Sequence, residues 1–378
     1  MSGSLLILGA SVRAAAQSAV RCGLRPSCGD LFFDADLPAC AGQVARSFPD
    51  DLARIAERAP PAPWMYTGGL ENYPRLVARI SRQRELLGAR PESLPAVRDP
   101  FEVERVLRGA GFLFPDCRRS SEGLPRDGTW LRKGLASSGG LRVSPWRGPS
   151  RRAGQRGWYF QRRVDGLPMS AVYLVAAGRS CLLGATRQIL TAAGGLPFQY
   201  AGSIGPLELT PQERSTVSAL GDLLAGRFEL RGLFGVDLVQ AGQEIWTIEI
   251  NPRYTASVEV LERTLGFNAI SLHIAACREA RLPHAATTQP SAHAPGSLCG
   301  KAIVYGCCDR VADEEMVKTL CERNRDHAWP RVADIPRAGT PLRPGHPVLT
   351  VFAEAQSEAL VRAQLRTAAD ELRKEFGF

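Results

Sequence analysis

The sequence has few lysines and no long apolar run. Four of its 47 basic residues are lysines, and the arginines are spread along all 378 residues. The net charge of +9 would suit nucleic acid, but basic residues dispersed in this way say little about a partner, and no nucleic-acid partner is expected. Because no stretch reaches the roughly 18 apolar residues of a membrane span, no membrane partner is expected either.

The ten cysteines indicate neither a disulfide framework nor a zinc site. Most are scattered, and Cys307 and Cys308 are adjacent rather than separated by two residues as in a CxxC pair. The start of the chain has no basic, cleavable leader and continues directly into the strand-like "LLILGA". We therefore expect a cytoplasmic protein with two or three globular domains.

The N-terminal region lacks the glycine fingerprint of dinucleotide-binding domains, although its pattern predicts a βαβ unit. An apolar run ends in Gly9-Ala10-Ser11, a helix-forming stretch is closed by Gly23, and "CGDLFFDADL" predicts a second strand. There is no GxGxxG, and no clear acidic residue ends the second strand. We expect a Rossmann-like domain that binds no cofactor.

Segments rich in proline and small polar residues predict the domain boundaries. "APPAPWMYTGG" marks a loop, the helical "ENYPRLVARISRQRELLG" is expected to end at Gly88, and "PHAATTQPSAHAPGS" is typical of a linker. The fold class is α/β combined with α+β. We expect a Rossmann-like domain over residues 1–95, a core over 96–282, a linker or exposed loop over 283–299, and an α+β module over 300–378 that ends in an amphipathic helix.

The strongest chemical pattern is the hairpin-like "LFGVDLVQAGQEIWTIEINPR". If its turn is centred on Gly242, strand alternation places Asp237, Thr247, Glu249 and Asn251 on one face. Two carboxylates and an amide oxygen within roughly 5–8 Å suit Mg²⁺ that is bound together with phosphate oxygens. For any single carboxylate, a solvated polar hairpin is the alternative.

An arginine directly after this hairpin favours the metal–phosphate interpretation. Asn251-Pro252-Arg253 places a guanidinium next to the expected metal, where it can form two hydrogen bonds to a phosphate or to a developing oxyanion.

A second pattern, "GTWLRKGLASSGGLRV", combines one lysine with a loop of small residues. Lys133 lies at the end of a predicted strand, and the loop contains Ser137, Ser138, Gly139 and Gly140, whose backbone N–H groups can approach a polyphosphate closely. It is not a Walker A loop, because the lysine precedes the glycines. A simple hairpin turn is the alternative.

A third pattern, "GWYFQRRVDGLPMSAVYLV", contains two strand-like runs joined at Asp165-Gly166. Residues 161–164, from Gln161 to Val164, can offer backbone groups to the edge of an adenine ring. The alternative is a base-stacking surface for single-stranded nucleic acid, made of the aromatic Trp158, Tyr159 and Phe160 and the basic Arg151, Arg152, Arg156, Arg162 and Arg163. Strand alternation opposes this surface, because consecutive aromatic side chains point to opposite faces.

Taken in order, "LRKGLASSGG", "YFQRRVDGLPMS", "LFGVDLV" and "IEINPRYTASVE" resemble the ATP-grasp superfamily over residues 96–282. The resemblance implies a two-lobed ATP-grasp fold behind an N-terminal pre-ATP-grasp domain. It also implies roles for individual residues. Asp237, Glu249 and Asn251 would bind Mg²⁺ (or Mn²⁺), Lys133 the phosphates, residues 137–140 would form a flap, Gln161 to Val164 would meet adenine, and Arg253 would lie beside the transferred phosphate.

Two features depart from the family pattern. No acidic ribose contact follows Gly166, and the early lysine is missing, with only arginines such as Arg98 and Arg105 in its region. The tail, with Asp334, Pro336, Gly345 and Pro347, more loosely resembles a carboxylase-like subgroup that includes ligases of one-carbon cofactor (methanofuran and methanopterin) pathways, such as tyramine–glutamate ligase.

The resemblance implies an enzyme, an ATP-dependent carboxylate–amine ligase with an acyl-phosphate intermediate, in which Lys133 and Arg253 act in catalysis. Its partners would be a small-molecule carboxylate and a small-molecule amine, and a homodimer through the N-terminal domain or the tail would fit. The alternative is a nucleotide-binding sensor or scaffold without turnover.

Overall fold

The computed structural model describes residues 3–38, 42–148, 157–191, 196–283 and 296–378. Its N-terminal part is a parallel four-stranded sheet of order β3-β2-β1-β4 with helices packed against it. The elements of this part are β1 (Ser4–Leu8), α1 (Arg13–Arg21), β2 (Arg25–Asp30), β3 (Gly42–Val44), α2 (Asp50–Arg58) and β4 (Trp64–Tyr66). The predicted βαβ unit is confirmed.

Two predicted boundaries in this part are wrong. Strand β2 begins at Arg25 and ends at Asp30, so most of "CGDLFFDADL" lies in the loop after the strand. The helix expected to end at Gly88 ends at Ser81, because the chain then turns back and Trp64 forms a bridge to Leu86 beside β4. The segment between β4 and the next sheet holds a 3₁₀ helix (Leu70–Asn72), α3 (Pro74–Ser81), α4 (Leu94–Val97) and α5 (Pro100–Gly109).

A small antiparallel sheet forms the next lobe. Its order is β5-β8-β6-β7, and it consists of β5 (Cys117–Arg118), β6 (Trp130–Gly134), β7 (Val143–Pro145) and β8 (Trp158–Arg162). The lysine-bearing strand is confirmed as β6, while its partner β7 begins two residues later than the predicted Leu141.

An antiparallel sheet of eight strands forms the centre of the molecule, in the order β13-β12-β9-β10-β11-β14-β18-β16. Its strands are β9 (Leu167–Ala176), β10 (Arg179–Thr191), β11 (Gln199–Gly205), β12 (Gly232–Ala241), β13 (Glu244–Asn251), β14 (Leu298–Tyr305), β16 (Val332–Ala333) and β18 (Pro347–Ala355). A separate pair is formed by β15 (Arg310–Val311) and β17 (Pro341–Leu342). The C-terminal strands thus continue the same sheet, because β14 pairs with β11.

Five helices pack on this sheet or beside it. They are α6 (Pro211–Arg227), α7 (Ala256–Leu265), α8 (Ala269–Arg278), α9 (Glu314–Glu322) and α10 (Glu358–Phe376). α6 begins with a capping box between Thr210 and Glu213 and packs on Tyr173, whose hydroxyl donates to the Val217 carbonyl at 2.9 Å. The amphipathic C-terminal helix is confirmed as α10. None of the described helices has the length and apolarity to cross a bilayer. Most of the expected linker, residues 284–295, lies outside the described residues.

Candidate active site

The hairpin of β12 and β13 has a different register from the predicted one. Ala241 faces Glu244 across a two-residue turn, so the turn is not centred on Gly242 alone. A bulge between Asp237 and Leu238 then shifts the pairing by one residue and brings Asp237 opposite Glu249.

The bulge decides which side chains share the face of the two carboxylates. Asn251 is opposite Gly235, two residues from Asp237, so Asp237, Glu249 and Asn251 share a face as predicted. Thr247 is opposite Leu238 and lies on the other face. The prediction that Thr247 joins the carboxylates is therefore wrong.

Asp237 lies between two amide side chains. Its carboxylate accepts hydrogen bonds from Gln188 Nε2 at 2.7 Å and from Asn251 Nδ2 at 3.1 Å. Burial, together with the nearby charge of Glu249, raises the pKa of Asp237 to about 6. Two carboxylates placed opposite each other repel, so a cation between them would be favourable.

Glu249 is held by arginine. Arg98 donates to its carboxylate and to the Ile250 carbonyl at 3.0 Å. Burial alone would raise the pKa of Glu249, but the charges of Arg98 and Lys133 hold it below its ordinary value. Glu249 is therefore an anion ready to bind a cation.

Arg253 is fixed between the hairpin and the N-terminal sheet. Its guanidinium donates to Asn251 Oδ1 at 3.0 Å and to Glu71 Oε1 at 2.8 Å. Glu71 is almost fully buried, and its second oxygen has no hydrogen-bond partner among the described residues. Sequence reasoning missed Glu71, although "TGGLEN" directly after a buried strand is the kind of loop that lines sites at the carboxyl edge of a parallel sheet.

Lys133 points into the same cleft from the other lobe. Its Nζ donates to Gln161 Oε1 at 2.9 Å and lies 5.8 Å from the centre of the Tyr159 ring. Burial alone would lower the pKa of Lys133, but Tyr159 and Glu249 raise it above its ordinary value. The lysine is thus a fixed positive charge.

The segment expected to meet adenine is divided between a strand and a connection. The backbone of Gln161 lies in β8, paired with Cys117 and Leu131, and its side chain holds Lys133. Val164 lies in the connection to β9. The part of this segment that can offer free backbone groups is therefore the connection after β8, and the adenine contact stays a prediction.

The aromatic residues of β8 do not form a shared stacking surface. Tyr159 and Phe160 are buried, and Phe160 packs edge-on against Trp146 with ring centres 4.9 Å apart. The Trp158 ring is covered by the Arg132 guanidinium at 3.9 Å. The alternative nucleic-acid surface also needs Arg151, Arg152 and Arg156, which lie outside the described residues.

Arg98 links the metal-site carboxylate to the flap. Besides Glu249 it contacts the Ser137 carbonyl, to which its guanidinium donates at 2.9 Å. Of the two arginines considered for the place of the early lysine, Arg98 lies in the site with only 10% of its side chain exposed, whereas Arg105 is at the surface beside Glu102. The cleft beside the flap is lined by Arg98, Lys133, Ser137, Gly140, Tyr159 and Glu249.

The flap itself is held by backbone contacts. The Tyr200 N–H donates to the Gly139 carbonyl at 3.1 Å. Gly140 has φ +76° and lies so close to the Phe198 carbonyl that a side chain would overlap with it. Ser138 lies between these contacts. The loop is therefore anchored without any large side chain.

The oxygen atoms of Asp237, Glu249 and Asn251 fit a hard cation such as Mg²⁺. No described group of three or more His, Cys, Asp or Glu side chains is placed to hold a metal ion by itself. Two carboxylates and one amide oxygen suit an ion that completes its coordination with water and phosphate oxygens, as Mg²⁺ does with nucleotides.

Comparison with known proteins agrees with the geometry. The family model of the ATP-grasp domain matches residues 97–257. The formate-dependent phosphoribosylglycinamide formyltransferase of Methylococcus capsulatus is 29% identical over 123 residues, which are 32% of this chain and 28% of that protein. The chain matches at most 39% of the length of the curated relatives that we compared.

Two solved structures resemble the whole chain. The biotin carboxylase domain dimer of the Hydrogenobacter thermophilus 2-oxoglutarate carboxylase, in complex with MgADP, ADP and bicarbonate, gives a TM-score of 0.71 at 12% identity and covers 97% of this chain and 89% of its own. The L-amino acid ligase from Bacillus licheniformis gives 0.69 at 15% identity, covering 98% and 97%. Such identities show the fold alone. The chain therefore contains an ATP-grasp domain over residues 97–257 and has the ATP-grasp fold.

Proposed function

We propose that the chain is an ATP-dependent ligase that joins a carboxylate to an amine through an acyl phosphate. The observation that carries the proposal is a cleft in which the cations Arg98, Lys133 and Arg253 surround the carboxylates Asp237 and Glu249. Fixed charges of both signs suit phosphoryl transfer, which depends on positioning and on charge neutralisation. The ligase name of the Bacillus licheniformis structure agrees with this reaction class.

The proposed reaction has two steps. An oxygen of the substrate carboxylate attacks the γ-phosphorus of ATP, and ADP leaves with the electron pair of the broken P–O bond. The amine nitrogen then attacks the acyl carbon, phosphate leaves, and the nitrogen releases a proton. Mg²⁺ held by Asp237, Glu249 and Asn251 would supply charge neutralisation at the phosphates.

The remaining residues have proposed positioning roles. Lys133, fixed by Gln161, contacts the phosphates, and Arg98 takes the place of the early lysine. The flap of Ser137, Ser138, Gly139 and Gly140 covers the nucleotide with its N–H groups, and the connection that contains Val164 contacts adenine. Arg253, oriented by Glu71, stabilises the oxyanion of the acyl-transfer step.

Further assignments rest on weaker support. The domain boundaries at residues 95, 282 and 299 follow the sequence pattern, and a part in one-carbon cofactor synthesis rests only on the resemblance of the tail. The use of Mn²⁺ in place of Mg²⁺ rests on the oxygen donors, which both ions accept. A cytoplasmic homodimer is part of the proposal, and the related biotin carboxylase structure is a domain dimer.

The test is ADP release in a screen of amino acids, polyamines and small carboxylates with ATP and Mg²⁺. One pair should stimulate release in the parent protein, and Glu249→Gln should abolish it, because the variant lacks one charge of the metal site. Glu244→Gln is the matched control on the same strand, at the far end of the hairpin. ATP binding without stimulation by any pair would favour the sensor, and turnover by Glu249→Gln would contradict the metal assignment.

A further inference from the structure

Four aspartates gather where the N-terminal sheet meets the C-terminal part of the chain. Asp30 ends β2, Asp34 and Asp36 follow in the next loop, and Asp334 comes from the loop after β16. We call these four residues the acidic junction. Their neighbours across the interface are Arg13 of α1 and Glu259 of α7.

Three of the four carboxylates have partners within the protein. Asp30 accepts from the backbone N–H groups of Val12 at 3.1 Å and Phe33 at 2.7 Å. Asp36 accepts from the N–H groups of Asp334 and Ile335 at 3.1 Å and 2.9 Å. These bonds fix the loop and the ends of the neighbouring elements, so Asp30 and Asp36 have structural roles.

Asp334 is paired but remains accessible. It accepts from Arg13 Nε at 3.0 Å and from Thr350 Oγ1 at 2.6 Å. Its side chain is nevertheless 29% exposed, which makes it the open side of the acidic junction. Its backbone has φ +54°, a strained conformation that is often found at functional positions.

Asp34 has no partner. The residue is only 4% exposed, yet no described residue forms a hydrogen bond or an ion pair with its carboxylate. Burial and the charges of Asp334, Asp36 and Asp30 raise its pKa well above the ordinary value. A buried carboxylate without a partner is costly and rare in native proteins, and it needs an explanation.

The available cations do not balance the charge. Counting Glu259, five carboxylates face the two cations Arg13 and Lys301, and Lys301 Nζ is already bound to Glu259 at 3.0 Å. Arg337 donates to the Phe33 carbonyl and covers the Phe33 ring, and within the described structure it forms no ion pair with these groups. The acidic junction thus lacks positive charge next to Asp34.

We propose that Asp34 and Asp334 bind the ammonium group of the amine-bearing substrate. This inference rests on the proposed ligase function and specifies the chemical class of one substrate. An ammonium group has three donors and needs only a few acceptor oxygens, which Asp34 and the accessible Asp334 provide. A metal ion fits less well, because backbone N–H groups already occupy Asp30 and Asp36, and no described cluster is arranged for a metal.

The position of the acidic junction agrees with this assignment. Gly68, at the end of β4, lies 3.6 Å from the Arg253 guanidinium, measured from the place of a Cβ atom. Its carbonyl accepts from the Ala10 N–H, and the Ala10 carbonyl accepts from the Leu31 N–H. Arg253 and the loop of Asp34 are therefore separated by two neighbouring chain segments, roughly 10 Å, which a small amine can span.

The first experiment measures binding without ATP. The probes are ethylenediamine, putrescine and L-lysine, with 1,4-butanediol as the neutral counterpart of putrescine, followed by isothermal titration calorimetry. The parent protein should bind at least one amine and not the diol, and Asp34→Asn should weaken that binding roughly 10- to 100-fold. Equal binding by parent and variant, or no binding of any amine, would overturn the proposal.

Stability provides an independent readout that separates a binding role from a structural one. Asp34→Asn removes an unpartnered buried charge while keeping the shape, so the unliganded variant should unfold at a higher temperature than the parent. Asp36→Asn should lower the unfolding temperature, because it weakens an acceptor of two backbone N–H groups. A lower unfolding temperature for Asp34→Asn would indicate a structural role and contradict the proposal.

Kinetics separate this inference from the proposed function. With the amine that stimulates ADP release, Asp34→Asn should raise KM for the amine, and Asp34→Glu should recover part of the loss. ADP release with an unchanged KM in Asp34→Asn would leave the ligase intact and reject the ammonium site. Amine binding that depends on Asp34, without ADP release by any pair, would support the site and reject the ligase.

Discussion

Arg98 shows how one side chain can connect metal, nucleotide and loop. It donates to the Glu249 carboxylate and to the Ser137 carbonyl, so its guanidinium spans the gap between the hairpin and the flap. A lysine has one ammonium group and could not hold both partners in the same fixed geometry. An arginine at this position therefore couples the flap to the metal-site carboxylate.

The first prediction follows from this geometry. Arg98→Met should raise the Kd for ATP with Mg²⁺ by roughly 10- to 100-fold, because a charge-assisted contact to the phosphates is lost and Glu249 loses its partner. Arg98→Lys should recover part of the affinity. Arg105→Met, at the surface on the next helix, is the control and should bind like the parent in a calorimetric titration. An unchanged Kd in Arg98→Met would show that the early-lysine contact is made elsewhere.

At this scale, the sequence predicts residues that are close along the chain better than residues brought together by folding. Asp237, Glu249 and Asn251 lie on one hairpin, and alternation is sufficient to group them. Alternation misplaces Thr247 because a single bulged residue changes the face, and no composition signal marks it. Glu71 meets Arg253 across 182 positions, which is a contact that periodicity cannot reveal.

The flap shows the same limit for an element. Its small residues predict a close approach of the backbone, but the partner of that approach, residues 198–200, lies in a different sheet. Gly139 and Gly140 both have positive φ, yet only Gly140 lies against another backbone segment. The two glycines therefore form a matched pair for mutagenesis.

We predict that Gly140→Ala will detach the flap and Gly139→Ala will have a smaller effect. Both substitutions strain a left-handed backbone, but only a Cβ atom added at Gly140 overlaps with the Phe198 carbonyl. Gly140→Ala should increase protease cleavage within residues 134–142 and weaken ATP binding by about 1–3 kcal/mol. Equal cleavage of the two variants would contradict the assigned contact. ATP with Mg²⁺ should protect the parent protein most.

Helix α8 is joined to the sheet by a buried histidine. Its Nδ1 accepts from the Leu233 N–H at 2.9 Å, while Nε2 lies 3.1 Å from the Leu87 carbonyl. This pairing requires neutral His273 with its proton on Nε2, and burial, with a contribution from Arg231, lowers the pKa to about 4. Protonation would place a second N–H against a backbone donor.

The pH dependence of stability follows with a definite sign. In the unfolded chain the imidazole takes up a proton near pH 6.5, but in the folded protein only near pH 4, so its contribution is present above pH 6.5 and is lost as the pH falls. The loss between these values should be roughly 3 kcal/mol. His273→Gln should unfold with a shallower pH slope in urea titrations, whereas the exposed His327→Gln should keep the parental slope. Equal slopes in all three proteins would contradict this role.

Elements with strong local patterns are predicted well, and their ends are not. The βαβ unit, β6, the β12–β13 hairpin and α10 all have clear periodicity. The strand predicted over "CGDLFFDADL" ends at Asp30 instead, because Asp30 turns its carboxylate to the Val12 and Phe33 N–H groups and the chain leaves the sheet. Such an end depends on a tertiary contact that periodicity does not encode.

The whole molecule is organised by one face of the eight-stranded sheet. Polar side chains follow each other across neighbouring strands, from Asp237 opposite Ser170 to Gln188 opposite Ser203 and Ser203 opposite Lys301. Lys301 then reaches Glu259, and Glu259 reaches Arg13 of the N-terminal sheet. The candidate nucleotide site and the acidic junction are therefore the two ends of one polar surface.

Arg13 is the point where the three parts of the chain meet. It lies in α1, and its buried guanidinium binds Glu259 of the ATP-grasp region and Asp334 of the C-terminal part. Burial alone would lower the pKa of Arg13, but the charges of Asp334 and Glu259 raise it well above the ordinary value. The sequence alone could not have paired residues 246 and 321 positions apart.

We predict that Arg13→Met will destabilise the whole molecule rather than one domain. The substitution keeps much of the apolar volume but leaves the buried Glu259 and Asp334 with less compensation, so the free energy of unfolding should fall by about 3–5 kcal/mol. Arg25→Met, at an exposed position on β2, should change it by less than about 0.5 kcal/mol. Urea titrations monitored by tryptophan fluorescence measure both values. If Arg13→Met lost less than about 1 kcal/mol, the three parts would be held together mainly by their apolar contacts, and Arg13 would be a minor link.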